Sequence, residues 1–442
     1  MALRRLSAQP TWLAYAGVWA FLGSLSWTTG AVYLVREVGL TPLQLVLAGT
    51  ALEVAYSLSE VPTGVLADLY SRRLSLVVAA LVCGGGMVVV GLAGSPGPVL
   101  AGMALWGLGW TFRSGAEDAW LADEVGRERL GAAYLRGAQA ERVGGLLGIG
   151  AAVALASVSL RLPLLCAGAA AGLLALGLAV AMPEQGFRRP ERGPGVSGSV
   201  SAAWQTLSDG RRVVAGHPVM VLVLGVAFVL GAWSEGWDRL WEAHLLLDVG
   251  LPDLLGLDDV VWFGVLAAGT QLISVVVAAP LVARIERHGP HRLARLLVWL
   301  HALLIGTALA FALAGEFWLA VAGYWSTTVV RSLASAPYRT WLNLSIADSS
   351  SRATVLSITN LADSAGEWSG TGGGDRVRFI ACRLKGAPIP DIPWARRPSA
   401  APIPTAASSC LSNVNSCVFT RCVVAFSNNC MKSTYSRRLL SA

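Results

Sequence analysis

The chain reads as an all-α polytopic membrane protein built of two pseudo-symmetric six-helix bundles, and three observations lead there. Hydrophobic residues make up 54% of the 442 positions and charged residues only 14%, with a mean hydropathy of +0.58. A soluble domain cannot wet so apolar a composition. Apolar runs of span length recur along most of the chain, and at roughly 20 residues per crossing there is room for about a dozen helices with short loops. A linker of different composition then divides these runs into two matching sets.

Runs bounded by Pro, Gly or Arg predict spans at 12–35, 43–67, 74–94, 98–122, 142–159, 163–182, 218–241, 260–282, 293–314 and 317–342. The first is too long for the core of a cleaved leader and lacks its small-residue cleavage pattern, so it is read as a retained helix. Between the sixth and seventh spans stands Pro183-Glu184-Gln185-Gly186-Phe187-Arg188-Arg189-Pro190, followed by Gly, Ser and Arg, the composition of a flexible linker. Its later part, Val200 to Val214, alternates Trp204, Leu207 and Val213 with Arg211 and Arg212, as an interfacial helix would. The predicted organisation is an N-terminal bundle over 1–182, a linker over 183–217 and a C-terminal bundle over 218–369.

An eleventh helix begins near Arg352 and runs through Ser357, Asn360 and Asp363 to Glu367. From Gly370 onward no apolar run approaches the roughly 18 residues a span requires. The only lysines, Lys385 and Lys432, lie there with Cys382, Cys410, Cys417, Cys422 and Cys430, whose spacing matches no zinc pattern. Residues 370–442 therefore read as a non-membrane tail, which leaves helix 11 partial and helix 12 missing; a frameshift, a misplaced splice or an assembly error near Glu367 to Gly374 is the expected origin. The two remaining cysteines, Cys83 and Cys166, fall inside spans and read as small hydrophobes.

With the N-terminus in the cytoplasm the arginines sort by side. Arg4, Arg5, Arg72, Arg73, Arg129, Arg188, Arg284 and Arg352 are among the many inside, whereas only Arg36, Arg161 and Arg239 lie outside. The net charge of +7 thus reports topology in an inner membrane and no nucleic-acid partner. The two sets also echo each other. Trp120-Leu121, Arg129 and Glu141 recur as Trp341-Leu342, Arg352 and Asp363 at an offset of 221 to 223 residues, and Val282 to Gly289 follows the eighth span as the Asp68 loop follows the second. A duplicated six-helix unit explains both.

Charges inside spans are costly and mark candidate sites. Glu53, Tyr56, Glu60 and Gly64 share one face of the second span; Glu53, near mid-span, and Glu60 are candidates for proton coupling or structural partners of an arginine. On the fourth, Trp106, Trp110, Arg113, Glu117, Trp120 and Glu124 form one stripe. Arg113 and Glu117 either pair locally or offer an anion or gating contact, while Asp118 lies off the stripe. At the end of the seventh, Glu235, Asp238 and Arg239 stand among tryptophans, either as an interfacial belt or, with Trp110, as a cavity suited to a cationic or amphipathic ligand. The tenth carries Arg331 and Arg339, for which Asp363, Glu367 and Glu60 are the available partners, either as a cytosolic gate network or, for the deeper Arg331, as a substrate contact. His301, in the ninth, reads as a core histidine. No Walker loop, Gly-x-Ser-x-Gly or His-Glu-x-x-His occurs, so no enzyme, metal or cofactor is expected.

The loop Gly64-Val65-Leu66-Ala67-Asp68-Leu69-Tyr70-Ser71-Arg72-Arg73 resembles the loop between helices 2 and 3 of the major facilitator superfamily, Gly-x-x-x-Asp-Arg/Lys-x-Gly-Arg-Arg/Lys. Gly64, Asp68, Arg72 and Arg73 match it; Leu69 and Ser71 depart. The resemblance covers roughly residues 10 to 369 and implies a monomeric secondary transporter in the lipid bilayer whose bundles rock about a cavity. It implies a small organic solute moved with a proton or another coupling ion, with efflux of drug-like compounds the leading reading. It also implies that Gly64 permits close helix approach and that Asp68 caps a helix or pairs with an arginine of the other half, as a cytosolic latch. Antiporters of the family carry Gly-x-x-x-Gly-Pro-x-x-Gly-Gly in helix 5. Here Gly144-Gly145-Leu146-Leu147-Gly148-Ile149-Gly150 lacks the proline, so uptake of a nutrient is the alternative, and a truncated product that transports nothing is another.

Overall fold

The computed structural model describes residues 7–126, 128–187, 201, 218–253, 258–278, 290–345, 359 and 362–367, and every regular element among them is helical. Helices α1 (Ala8–Trp27) and α2 (Gly30–Arg36) make up the first span. At the junction the Thr28 hydroxyl donates to the Ser24 carbonyl at 2.7 Å. Helix α3 (Pro42–Leu69) starts with proline in its first turn and a Thr41–Gln44 capping box, which together satisfy amides that a helix start leaves open. Helix α4 (Arg72–Gly91) is capped by Ser71, whose hydroxyl accepts from the Leu74 amide at 3.0 Å. Helices α5 (Pro96–Val125), α6 (Leu130–Ala156) and α7 (Leu162–Ala181) complete the first six spans.

Then come α8 (Pro218–His244), continued by a π-helical turn at Leu245–Val249, and α9 (Asp259–Ile273), continued by another at Ser274–Ala278. Helices α10 (Pro290–Leu313) and α11 (Phe317–Ser345) follow, and residues 362–367 are helical. Each of the ten apolar runs thus corresponds to a helix. The largest boundary error is in the fifth, which begins at Leu130 rather than near 142, because Arg136, Glu141 and Arg142 end the apolar run but not the backbone hydrogen bonding. The echo at Val282 to Gly289, the interfacial helix of the linker and the 370–442 tail lie outside the described residues.

Among the described residues, five segments are long and apolar enough to cross a membrane by length and composition alone: Ala8–Arg36, Arg72–Gly91, Leu162–Ala181, Asp259–Val277 and Arg295–Leu313. The remaining long helices, α3, α5, α6, α8 and α11, carry Glu53, Arg113, Arg142, Glu235 and Arg331. Such helices need protein neighbours for their polar faces.

The chain forms two compact units. The first comprises Met1–Thr206, Trp237–Leu272 and Gly315–Phe317; the second comprises Leu207–Gly236, Ile273–Ala314 and Trp318–Ala442. In the first, α4 packs on α5 and α7, α3 on α5, and α1 on α6. Small residues set the closest approaches, as they do between helices in lipid. A Cβ on Gly144 of α6 would be built into the carbonyl oxygen of Gly17 of α1, and one on Gly107 of α5 into that of Leu52 of α3. Trp12, Tyr15, Trp19, Leu76, Trp120 and Leu121 form much of this unit's core, where Cys83 is buried. In the second unit Val223, Leu293, Leu297, Leu300, Val330, Leu333 and Trp341 pack together.

Arg36, at the end of α2, donates to Asp259 at 2.7 Å with 53% and 34% of the two side chains exposed. So open a pair contributes only about 0–1 kcal/mol. Arg36→Ala is expected to move the thermal unfolding midpoint of the detergent-solubilised protein by no more than a few degrees, and less still at high salt.

Candidate functional site

Among the described residues of the first unit, two tryptophans, a tyrosine and one ion pair form the most elaborate polar constellation. On α5, Arg113 and Glu117 stand one turn apart, and the guanidinium meets the carboxylate through two bonds, Nε to Oε2 at 2.6 Å and Nη2 to Oε1 at 3.0 Å. From α1, the Tyr15 hydroxyl donates to Glu117 Oε2 at 2.9 Å and accepts from Arg113 Nε at 3.2 Å. Indoles cover the guanidinium, Trp19 with its centroid at 4.8 Å and Trp110 at 4.6 Å. Only 13% of the Arg113 side chain and 17% of Glu117 remain exposed. The two charges therefore pair locally.

The rings continue past this pair. Trp110 meets Trp106 with the rings tilted by 48° and the centroids 5.5 Å apart, and Trp106 meets Trp27 edge-on at 5.3 Å. The Nε1 atoms of Trp27 and Trp106 are both buried without a hydrogen-bond partner. Buried donors are rarely left so.

Further along, the same α5 stripe serves a different end. Trp120 Nε1 donates to the Pro183 carbonyl at 2.8 Å, and Glu124 accepts from the amides of Gln185 and Gly186. Glu184 in turn accepts from the Ser71 hydroxyl at 2.8 and 2.9 Å and from the Arg73 amide at 2.9 Å. It thus sits at the N-terminus of α4, where a carboxylate is stabilised by free amides and the helix dipole. Arg72 pairs with Asp123, donates to the Ala119 carbonyl at 2.6 Å and lies 5.7 Å from the Phe187 ring. The loop motif thus clasps the start of the linker within the first half.

Two details differ from expectation. A Cβ at Gly64 would meet nothing within 4 Å, so this glycine is not required by close helix approach. Ser71, where the family pattern has glycine, supplies both the cap of α4 and a bond to Glu184. The Asp68 and Arg339 side chains lie outside the described residues, so the latch expected of Asp68 is not described. Ser71→Ala is expected to cost about 1 kcal/mol through the lost cap. Glu184→Ala, which strips partners from a hydroxyl and an amide, should cost about 1–3 kcal/mol. Thermal unfolding gives both, and faster tryptic cleavage after Arg188 should accompany the second.

Elsewhere the predicted residues fall into smaller groups. Glu60 accepts from the Tyr56 hydroxyl at 3.2 Å, and Glu53 lies on the same helix. In the second unit the Arg331 guanidinium lies 5.6 Å from the Trp233 ring and within electrostatic reach of Asp363. The helical residues 362–367 that carry Asp363 and Glu367 press on α8, where Gly231 meets Asp363 and Gly366 meets the Phe228 carbonyl. Glu235 is only 5% exposed in this unit. Asp238 and Arg239 belong to the first unit and lie within electrostatic reach of Glu242.

Sequence reasoning missed Tyr15, Trp19, Asp123 and Glu184. Trp12, Tyr15 and Trp19, spaced by three and four residues on the first span, were a legible aromatic stripe. Asp118, left unassigned, accepts from the Tyr134 hydroxyl at 2.8 Å.

A family model described as Major Facilitator Superfamily matches residues 11–370. No curated protein matches the chain in sequence. Among solved structures, a mutant of the nucleoside transporter NupG is similar with a TM-score of 0.68 and 12% identity, over 85% of this chain and 92% of that one. The peptide transporter POT in complex with sulfate is similar with a TM-score of 0.63 and 15% identity, over 86% and 91%. An inward-facing, unoccupied bacterial homologue of the human lysosomal transporter Spinster is similar with a TM-score of 0.59 and 18% identity, over 86% and 84%.

Proposed function

The chain belongs to the Major Facilitator Superfamily and is a transmembrane transporter, and on that premise we propose that it moves a small organic solute by proton-coupled alternating access, in the direction of efflux. The observation that carries this reading is the Arg113–Glu117–Tyr15 group. Two charges held among the aromatic side chains of α1 and α5 are costly inside a helix bundle. Here they are enclosed by indoles and a phenol, surfaces that suit a drug-sized aromatic solute. Glu53 and Glu60 remain the candidates for proton coupling, and the arginine distribution supports a cytoplasmic N-terminus and Ser71 loop.

Flux in proteoliposomes under an imposed pH gradient tests the direction. Efflux predicts exchange of internal solute for external protons. Solute accumulation in right-side-out vesicles driven by an inward proton gradient would favour uptake and sink the export reading. One observation supports uptake: Gly144 and Gly148 are spent on packing against Gly17 and Phe21 of α1, so the glycine run in α6 needs no antiport role. The family match stops at residue 370, which supports reading 370–442 as sequence foreign to the fold. Translating the other frames of the encoding DNA tests this, since two further apolar spans are expected in one of them.

A further inference from the structure

The constellation around Arg113 offers hydrogen-bond donors and almost no free acceptors, and we infer that the solute recognised there is flat, aromatic and uncharged, and carries a carbonyl-type acceptor. The inference rests on the transporter reading of the same site. Arg113 spends Nε and Nη2 on Glu117 and Tyr15, while among the described residues Nη1 has no hydrogen-bond partner. Trp106 and Trp27 add two indole N–H groups that also lack one. On the acceptor side, Glu117 already receives two bonds from Arg113 and one from Tyr15. A ligand must therefore bring acceptors to meet the donors.

Charge decides between kinds of acceptor. Glu117 neutralises the guanidinium at 2.6 Å, and Trp19 and Trp110 already supply the cation-π contacts of that charge. A ligand carboxylate at Nη1 would be drawn by no net charge and repelled by Glu117, while losing its hydration. A ligand cation would meet the same neutral pair and the free N–H donors. A carbonyl or lactone oxygen incurs neither cost, and a flat ring beside it gains from the tryptophan faces.

The test is equilibrium binding to the full chain in nanodiscs, corrected for empty discs, with coumarin as the uncharged acceptor-bearing probe. Naphthalene, 2-naphthoate and 2-naphthylammonium serve as probes of similar shape without an acceptor, with negative charge and with positive charge. Coumarin should bind about tenfold tighter than each, the worth of one good hydrogen bond. Arg113→Lys, which removes the planar fork, and Trp106→Phe, which keeps a ring but removes the N–H, should each erase most of that preference. If Arg113→Lys does not fold, Trp106→Phe still reads the donor. Tighter binding of either charged probe, or a preference for coumarin that survives both substitutions, overturns the inference. Saturable coumarin binding by a protein that shows no flux would keep this inference and overturn the transport reading. Flux of an anionic solute by a protein indifferent to coumarin would do the reverse.

Discussion

Arg113→Ala should abolish flux and lower stability by about 3–5 kcal/mol, the cost of leaving one member of a buried pair uncompensated. With the guanidinium gone, Glu117 keeps one bond from Tyr15 and loses two from Arg113, while the indoles of Trp19 and Trp110 lose the group they enclose. The double variant Arg113→Ala with Glu117→Ala should recover part of the loss, since it removes both charges together. Thermal unfolding in detergent separates the two cases. If the double variant is no more stable than the single one, the pair is not the unit described here. A single variant that unfolds like the wild type would show that Glu117 finds another partner or its own water.

The second large effect lies in the glycine run of α6. Gly144→Val is expected to destabilise by roughly 3 kcal/mol, because its Cβ would fall on the carbonyl oxygen of Gly17 and force α1 and α6 apart. Gly150→Ala, in the same run, meets nothing within 4 Å. That change should be neutral or stabilising by up to about 1 kcal/mol, as alanine is the better helix former. Size-exclusion profiles and unfolding midpoints of the two variants give the comparison. Equal damage at both positions would contradict a packing role for Gly144 and return the run to a functional reading.

Much of this architecture was legible because a helix in lipid must satisfy its own backbone and cover it with apolar side chains. The ten runs from Trp12 to Leu342 needed only hydropathy and their Pro, Gly and Arg boundaries. Helix α6 shows the limit of that signal: Arg136, Glu141 and Arg142 interrupt the apolarity, yet the helix continues through them. The Arg113–Glu117 pair was equally legible, since a four-residue spacing brings two side chains onto one helix face whatever surrounds the helix.

Partners drawn from distant positions were not legible. Tyr15 reaches Glu117 over 102 residues and Ser71 reaches Glu184 over 113, and no periodicity within one helix encodes such a meeting. The loop from Gly64 to Arg73 showed by its pattern that a glycine, an aspartate and two arginines belong to a family signature. Packing alone decided that a Cβ at Gly64 would meet nothing, that Ser71 caps α4 and that Arg72 and Arg73 turn to Asp123 and Glu184. Local spacing determines which side chains share a face, but the energy of a buried charge depends on which other helix that face meets, and only the folded bundle sets that.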